Sequence, residues 1–303
     1  MYEQHFGFSE LPFCLTPDTQ FYHASRWHRE ARTVLDICIN QGEGFVKITG
    51  EVGTGKTMLC RCLLNSLSAE YIPVYIPNPY LRPEGLFCAI AHELGIKAET
   101  GNSHVILKAI EEELIQLTIL GHKVILVVDE AQSMPAETLE ALRLVTNLET
   151  EKIKLLQVVL FGQPELDVIL QQPALRQLLQ RVTFSYSLGP LDFAETQAYL
   201  NHRLQCANHQ GESLFEPAAT KYLYRASGGI PRLINILAHK ALMCAFGKQS
   251  QTVSKAFVKA AVGDTEGVSQ PRMLPIFSLR NAAAVALFIV PTITMTLASG
   301  ANL

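Results

Sequence analysis

The chain has 303 residues, 48% hydrophobic and 17% charged, which is apolar material for a sizeable buried core and a length suited to about two domains. With 25 lysines and arginines against 28 acids the net charge is −3, so a disordered chain is excluded and no global positive field points to nucleic acid. Seven scattered cysteines without a C-x-x-C pair suit reduced thiols rather than a disulfide framework, and nine histidines show no zinc-binding spacing.

In chain order, residues 1–43 read as a turn-rich lead-in that packs on the core; its polar start is not that of a secretory leader. Phe6-Gly7-Phe8, Leu11-Pro12-Phe13 and Thr16-Pro17-Asp18 mix aromatic side chains with turn formers, after which Ala31, Val34, Leu35 and Cys38 fall at helical spacing. Over residues 44–189, short apolar strands expected at 45–49, 72–76, 124–128, 156–161 and 182–186 alternate with helices near 56–67, 84–94, 104–120, 136–148 and 165–180. That alternation predicts an α/β domain whose central parallel sheet is covered on both faces. Residues 190–262 carry helical patterns only, near 192–207, 216–226, 232–246 and 254–261, and predict a small α-helical lid domain. A linker is expected at 263–280. The uncharged stretch 281–301 is then long enough for one transmembrane helix, the alternative being an apolar tail helix docked on the globular part. Arg272 and Arg280 precede it, which would leave the preceding domain in the cytoplasm.

Residues Gly50-Glu51-Val52-Gly53-Thr54-Gly55-Lys56-Thr57 have the spacing G-x-x-x-x-G-K-[ST] and follow directly on the first expected strand. The chemistry needs each residue type. Glycines let the backbone turn its N–H groups inward onto phosphate oxygens, and the following helix aims the positive end of its dipole at the anion. Lys56 is placed to reach the β- and γ-phosphates of ATP, and Thr57 to put its hydroxyl on Mg2+. The strand before the loop and the helix after it weigh against a ligand-free glycine-rich turn.

The second motif, Val124-Ile125-Leu126-Val127-Val128-Asp129-Glu130, is an apolar strand ending in two acids. A parallel strand presents its functional side chains at its C-terminal end, the rim on which the phosphate loop also lies. Asp129 therefore suits Mg2+ coordination through water, and Glu130 suits a general base that polarises an attacking water. Taken alone the pair reads as a solvated acidic turn; the phosphate loop upstream is what favours chemistry.

The phosphate loop, the Asp-Glu strand and the helical lid together resemble the AAA+ ATPases, P-loop NTPases of α/β fold. Five further segments are similar to the ExeA/GspA secretion-assembly branch: Phe6-Gly7-Phe8, Pro12-Phe13, Thr16-Pro17-Asp18, Gly162-Gln163-Pro164-Glu165-Leu166 and Gly228-Gly229-Ile230-Pro231-Arg232. The similarity covers roughly residues 1–262 and is nearest to the members associated with biogenesis of the MSHA type IV pilus. It implies a Mg2+-dependent ATP hydrolase that helps to assemble a pilus or type II secretion apparatus at the bacterial inner membrane. It also implies a homo-oligomer with shared ATP sites, partnered by the assembly proteins of that apparatus.

For single residues the resemblance implies Gln163 as a sensor of the γ-phosphate that positions water, where other branches carry Asn, Thr or Ser. Arg232 becomes the second sensor arginine, at the start of a lid helix. Arg181 becomes the arginine that projects into the neighbouring subunit's ATP site, with Arg176 as the competing candidate. Longer members of the branch continue past the membrane into a peptidoglycan-binding domain, and direct cell-wall binding is not expected of this sequence. DNA-associated AAA+ ATPases of the transposition-targeting type share much of this core and are the alternative. A scaffold that binds nucleotide without turnover is the third reading, and Glu130 argues against it.

Overall fold

The computed structural model describes residues 2–97, 102–149, 154–211, 213–266 and 268. The N-terminal part comprises α1 (Glu3–Phe6), a 3-10 turn (Thr19–Phe21) and α2 (Arg26–Gln41). There follow β1 (Phe45–Gly50), α3 (Lys56–Ser66), β2 (Tyr71–Ile76), α4 (Pro83–Glu93), α5 (Ser103–Ile119), β3 (Lys123–Val128) and α6 (Ala136–Thr146). β4 (Leu156–Gly162), α7 (Glu165–Leu170), α8 (Arg176–Leu179) and β5 (Phe184–Leu188) complete the α/β part. The lid is α9 (Phe193–Cys206), α10 (Pro217–Ser227), α11 (Pro231–Gly247) and α12 (Lys255–Gly263).

The five strands form one sheet in the order β2-β3-β4-β1-β5, with every neighbouring pair parallel. Period-two alternation sorts its side chains. Leu126 and Val128 of β3 and Val158 and Leu160 of β4 join one cluster with α4, α5 and α6, whereas Ile125, Val127, Val159 and Phe161 join another with α2 and α3. Both faces are covered, as the uninterrupted apolar strands predict. Each such Leu, Ile or Val, fully buried, contributes about 1.5–3 kcal/mol by removal from water. The central β1 has its C-terminal end next to the ends of β4 and β5, with Thr49 opposite Gly162 and Ser187, and that rim is where the phosphate loop begins.

Three expectations are corrected. The lead-in is divided: α2 buries Ala31, Leu35 and Cys38 against the sheet, but Tyr2, Phe6, Phe8, Phe13 and Phe21 pack with the apolar faces of the lid helices instead. The helix expected at 165–180 is broken into α7, a 3-10 turn at Pro173–Leu175 and α8, because Pro173 has no N–H to donate and its ring clashes with the preceding turn. The last strand starts two residues later than expected, since the Val182 N–H is spent closing the turn onto the Leu179 carbonyl (3.1 Å). The stretch 281–301 and most of the linker lie outside the described residues, and among the described residues no helix is long and apolar enough to cross a membrane.

Candidate functional site

The loop from β1 to α3 takes its shape from two glycines, Gly53 at φ +83° and Gly55 at φ +101°, in backbone that other residues adopt only under strain. Space is a second constraint. A Cβ on Gly53 would lie 2.5 Å from Cβ of Arg232, and one on Gly55 would lie 2.6 Å from Nε2 of His28. The loop is thus closed in between α2 and the start of α11. Thr54 Oγ1 donates to the Glu51 carbonyl (2.8 Å), tightening the turn. Lys56 is buried, and its Nζ donates back to the carbonyls of Gly50 (2.7 Å) and Glu51 (3.0 Å). Burial lowers its pKa, while Glu130 and Asp129 act in the opposite sense and favour the ammonium.

At the end of β3, Asp129 is buried and desolvation raises its pKa, opposed by hydrogen bonds from the Thr57 hydroxyl and the Glu130 N–H (2.9 Å). Thr57 and Asp129, the two expected metal-side residues, are therefore neighbours at this rim. Glu130 has φ +52°, an uncommon left-handed conformation for a residue with a side chain, and strain of this kind clusters at functional sites. Its Oε2 accepts from Gln132 Nε2 (2.5 Å) and from Gln163 Nε2 (3.1 Å). Gln132 also accepts the Gln163 N–H on its Oε1 (2.9 Å), so two amides hold one carboxylate. Gln163 lies at the end of β4 beside Glu130. Gln132 was missed by sequence reasoning, although its place two residues after Glu130 was a usable signal.

Arg232 stands at the N-terminal turn of α11, where its backbone N–H donates to the Gly53 carbonyl (3.2 Å) and joins lid to loop. A cavity of about 390 Å³ opens over the loop, lined by Lys56, Thr57, Glu130, Gln163 and Arg232. Its other wall was not foreseen: Cys14 to Pro17, Tyr22, His28, Tyr199, Arg203 and Asn235 also face it. His28 is buried; its Nδ1 meets Ser25 Oγ at 2.7 Å and its Nε2 makes no hydrogen bond among the described residues. Arg181 does not line the cavity and is tied elsewhere, its Nη1 donating to the Thr146 carbonyl at the end of α6 (3.0 Å). Arg176, which opens α8, is exposed and likewise does not line the cavity.

Residues 39–170 match a family model described as an AAA domain. Over those residues the chain is similar to an AAA domain. It is 42% identical over 269 residues to general secretion pathway protein A of Aeromonas hydrophila, an alignment covering 88% of this chain and 49% of that protein. The chain spans about half the length of that relative. Family and relative together support the ExeA/GspA branch of the AAA ATPases. Among solved structures, the ORC2 protein of Aeropyrum pernix is 19% identical with a TM-score of 0.60, over 84% of this chain and 73% of that one. Cdc6p of Pyrobaculum aerophilum is 18% identical with a TM-score of 0.62, over 86% and 70%. The RuvB Holliday junction branch migration motor of Thermotoga maritima is 16% identical with a TM-score of 0.54, over 80% and 70%. At these identities the likeness shows the α/β P-loop fold and nothing narrower.

The residues of the loop and of the rim beside it fit a nucleotide and its metal. Left-handed glycines leave no Cβ in the cradle, a helix N-terminus with a buried lysine faces it, and an unpartnered imidazole nitrogen stands in its wall. A hydroxyl and a carboxylate side by side are hard oxygen donors of the kind Mg2+ takes. Gly50 to Thr57 would hold the phosphates, with Thr57 and Asp129 on the metal side.

Proposed function

We propose that the chain binds ATP with Mg2+ and hydrolyses it, and that this drives conformational change in the assembly of a secretion or pilus apparatus at the bacterial inner membrane. The observation that carries the hydrolytic part is Glu130, a carboxylate held by Gln132 and Gln163 on the same rim as Lys56, Thr57 and Asp129. In this reading Glu130 takes up a proton from the attacking water, and Gln163 orients that carboxylate and senses the γ-phosphate. Lys56 leaves its two carbonyls for phosphate oxygens, and Arg232 reaches the nucleotide from the lid. Mg2+ when bound neutralises charge on the phosphate oxygens.

The assembly role is supported by the 42% identity to a general secretion pathway protein, and an MshM-like role in an MSHA-type pilus is its narrower form. Tethering by residues 281–301, with the AAA domain in the cytoplasm, and a homo-oligomer completed by Arg181 in the neighbour's site belong to the same proposal. The test is purification of full-length Glu130→Gln with ATP from membranes. Recovery of pilus or secretion assembly proteins with an ATP-loaded oligomer is the expected result. Salt-sensitive retention on DNA, with no membrane association, would instead favour the DNA-associated reading.

A further inference from the structure

Arg203 lies on α9 and is 4% exposed, yet no carboxylate pairs with it among the described residues. Burying a cation without an anion is costly unless its donors are fully used. Three of its five N–H groups are used, two of them on the N-terminal segment. Nε donates to the Pro12 carbonyl (2.5 Å), Nη2 donates to the Cys14 carbonyl (3.2 Å), and the guanidinium stacks over the Phe21 ring at 4.7 Å. The remaining fork arm, Nη1, donates to Tyr199 Oη (3.2 Å), which in turn donates to Oδ1 of Asn235 on α11 (2.9 Å). Asn235 stands one helical turn beyond Arg232, whose N–H meets the Gly53 carbonyl of the phosphate loop. Buried polar contacts therefore run along the wall of the cavity from residues 12–14 to Asn235 on α11, the helix whose first turn meets the loop.

We propose that Arg203 is a positioning residue for the nucleotide reaction: it latches the N-terminal strap, residues 12–21, to the lid, so that strap and α11 close on the nucleotide as one wall. This rests on the cavity being the nucleotide site. The planar fork is what the role requires, since it serves two carbonyls and a phenol at fixed angles, and a lysine ammonium is a point donor that cannot hold all three in that geometry.

The test compares the full chain with Arg203→Lys and Tyr199→Phe by KM and kcat for ATP, affinity for mant-ATP, melting temperature and chymotrypsin cleavage after Phe13 and Phe21. The latch predicts that Arg203→Lys raises KM and the mant-ATP Kd about tenfold, or about 1.4 kcal/mol, while kcat falls far less. Tyr199→Phe should do the same to a smaller extent. ATP should protect Phe13 and Phe21 from cleavage in the parent but not in Arg203→Lys. A parent that binds mant-ATP while Arg203→Lys binds it equally well overturns the latch alone, as does a lowered melting temperature with KM unchanged. A parent that binds no mant-ATP overturns the nucleotide reading and the latch with it.

Discussion

His28→Gln offers the sharpest physical test of the cavity wall. The imidazole is 5% exposed on α2, and burial pushes its pKa from 6.5 down to about 4, with the Thr54 backbone offsetting part of the effect. The ring is therefore neutral in the folded chain. Because the folded pKa lies below the unfolded one, the unfolded chain binds the extra proton between them; stability from this group is complete above about pH 6.5 and is lost as pH falls towards 4. Between pH 8 and pH 5 the loss amounts to about 2 kcal/mol. A glutamine does not titrate, so the variant should lose about that much less over the same interval. Urea unfolding of parent and variant at both pH values reads the difference. His23 and His239 are also lowered by burial, but they titrate in both proteins and cancel. If parent and variant lose the same stability, the buried ring is not neutral by desolvation and the account of this wall is wrong.

The other predictions concern loop, base and neighbour. Lys56→Ala should abolish nucleotide binding and Glu130→Gln should keep it while losing turnover, measured by mant-ATP titration and phosphate release; equal loss of affinity in both would refute the division of roles. Gly53→Ala should cost about 1–2 kcal/mol from its left-handed backbone alone, and its Cβ would also force Arg232 away, so both melting temperature and ATP affinity should fall. Parental values for both would show that loop and lid do not pack as described. Arg181→Ala should bind ATP but hydrolyse it roughly 10³-fold more slowly or worse, and mixing it with Lys56→Ala should restore some turnover. A rate per subunit that does not depend on concentration, with Arg181→Ala as active as the parent, would show that each site works alone.

How much of this was legible in the sequence follows from how local each rule is. The sheet was legible because buried parallel strands such as Val124-Ile125-Leu126-Val127-Val128 need no partner to be recognised. The phosphate loop and Asp129-Glu130 were legible because their chemistry is carried by adjacent residues. Phe6, Phe8 and Phe13 announced only that they would be buried. Nothing in their spacing says whether the surface they cover belongs to the sheet or to the lid, since both offer apolar faces, and the lid won. Arg203 and Asn235 act through partners far along the chain, and no single-sequence pattern encodes those pairings, whereas Gln132 lies two residues from the Glu130 carboxylate it holds and was within reach. The break at Pro173 is different, because its rule is local and was available.

The buried cations of the site share a physical feature that bears on how it works. Lys56 is satisfied by two neutral carbonyls, and Arg203 by two neutral carbonyls and a phenol. Hydrogen bonds from a cation to an anionic oxygen are roughly twice as strong as those between neutral groups. A polyphosphate in the cavity would therefore give Lys56 a better acceptor than the loop now provides, and would free the Gly50 and Glu51 carbonyls. Those carbonyls belong to the turn whose next residues include Gly53, the point at which the lid is hydrogen-bonded. Exchange of acceptors at Lys56 thus acts on the backbone that holds Arg232, and through Asn235 and Tyr199 on the strap held by Arg203. On the proposed reading these contacts would couple nucleotide occupancy to lid position, so a substitution at any link, including those remote from phosphate, should alter ATP affinity before it alters the chemical step.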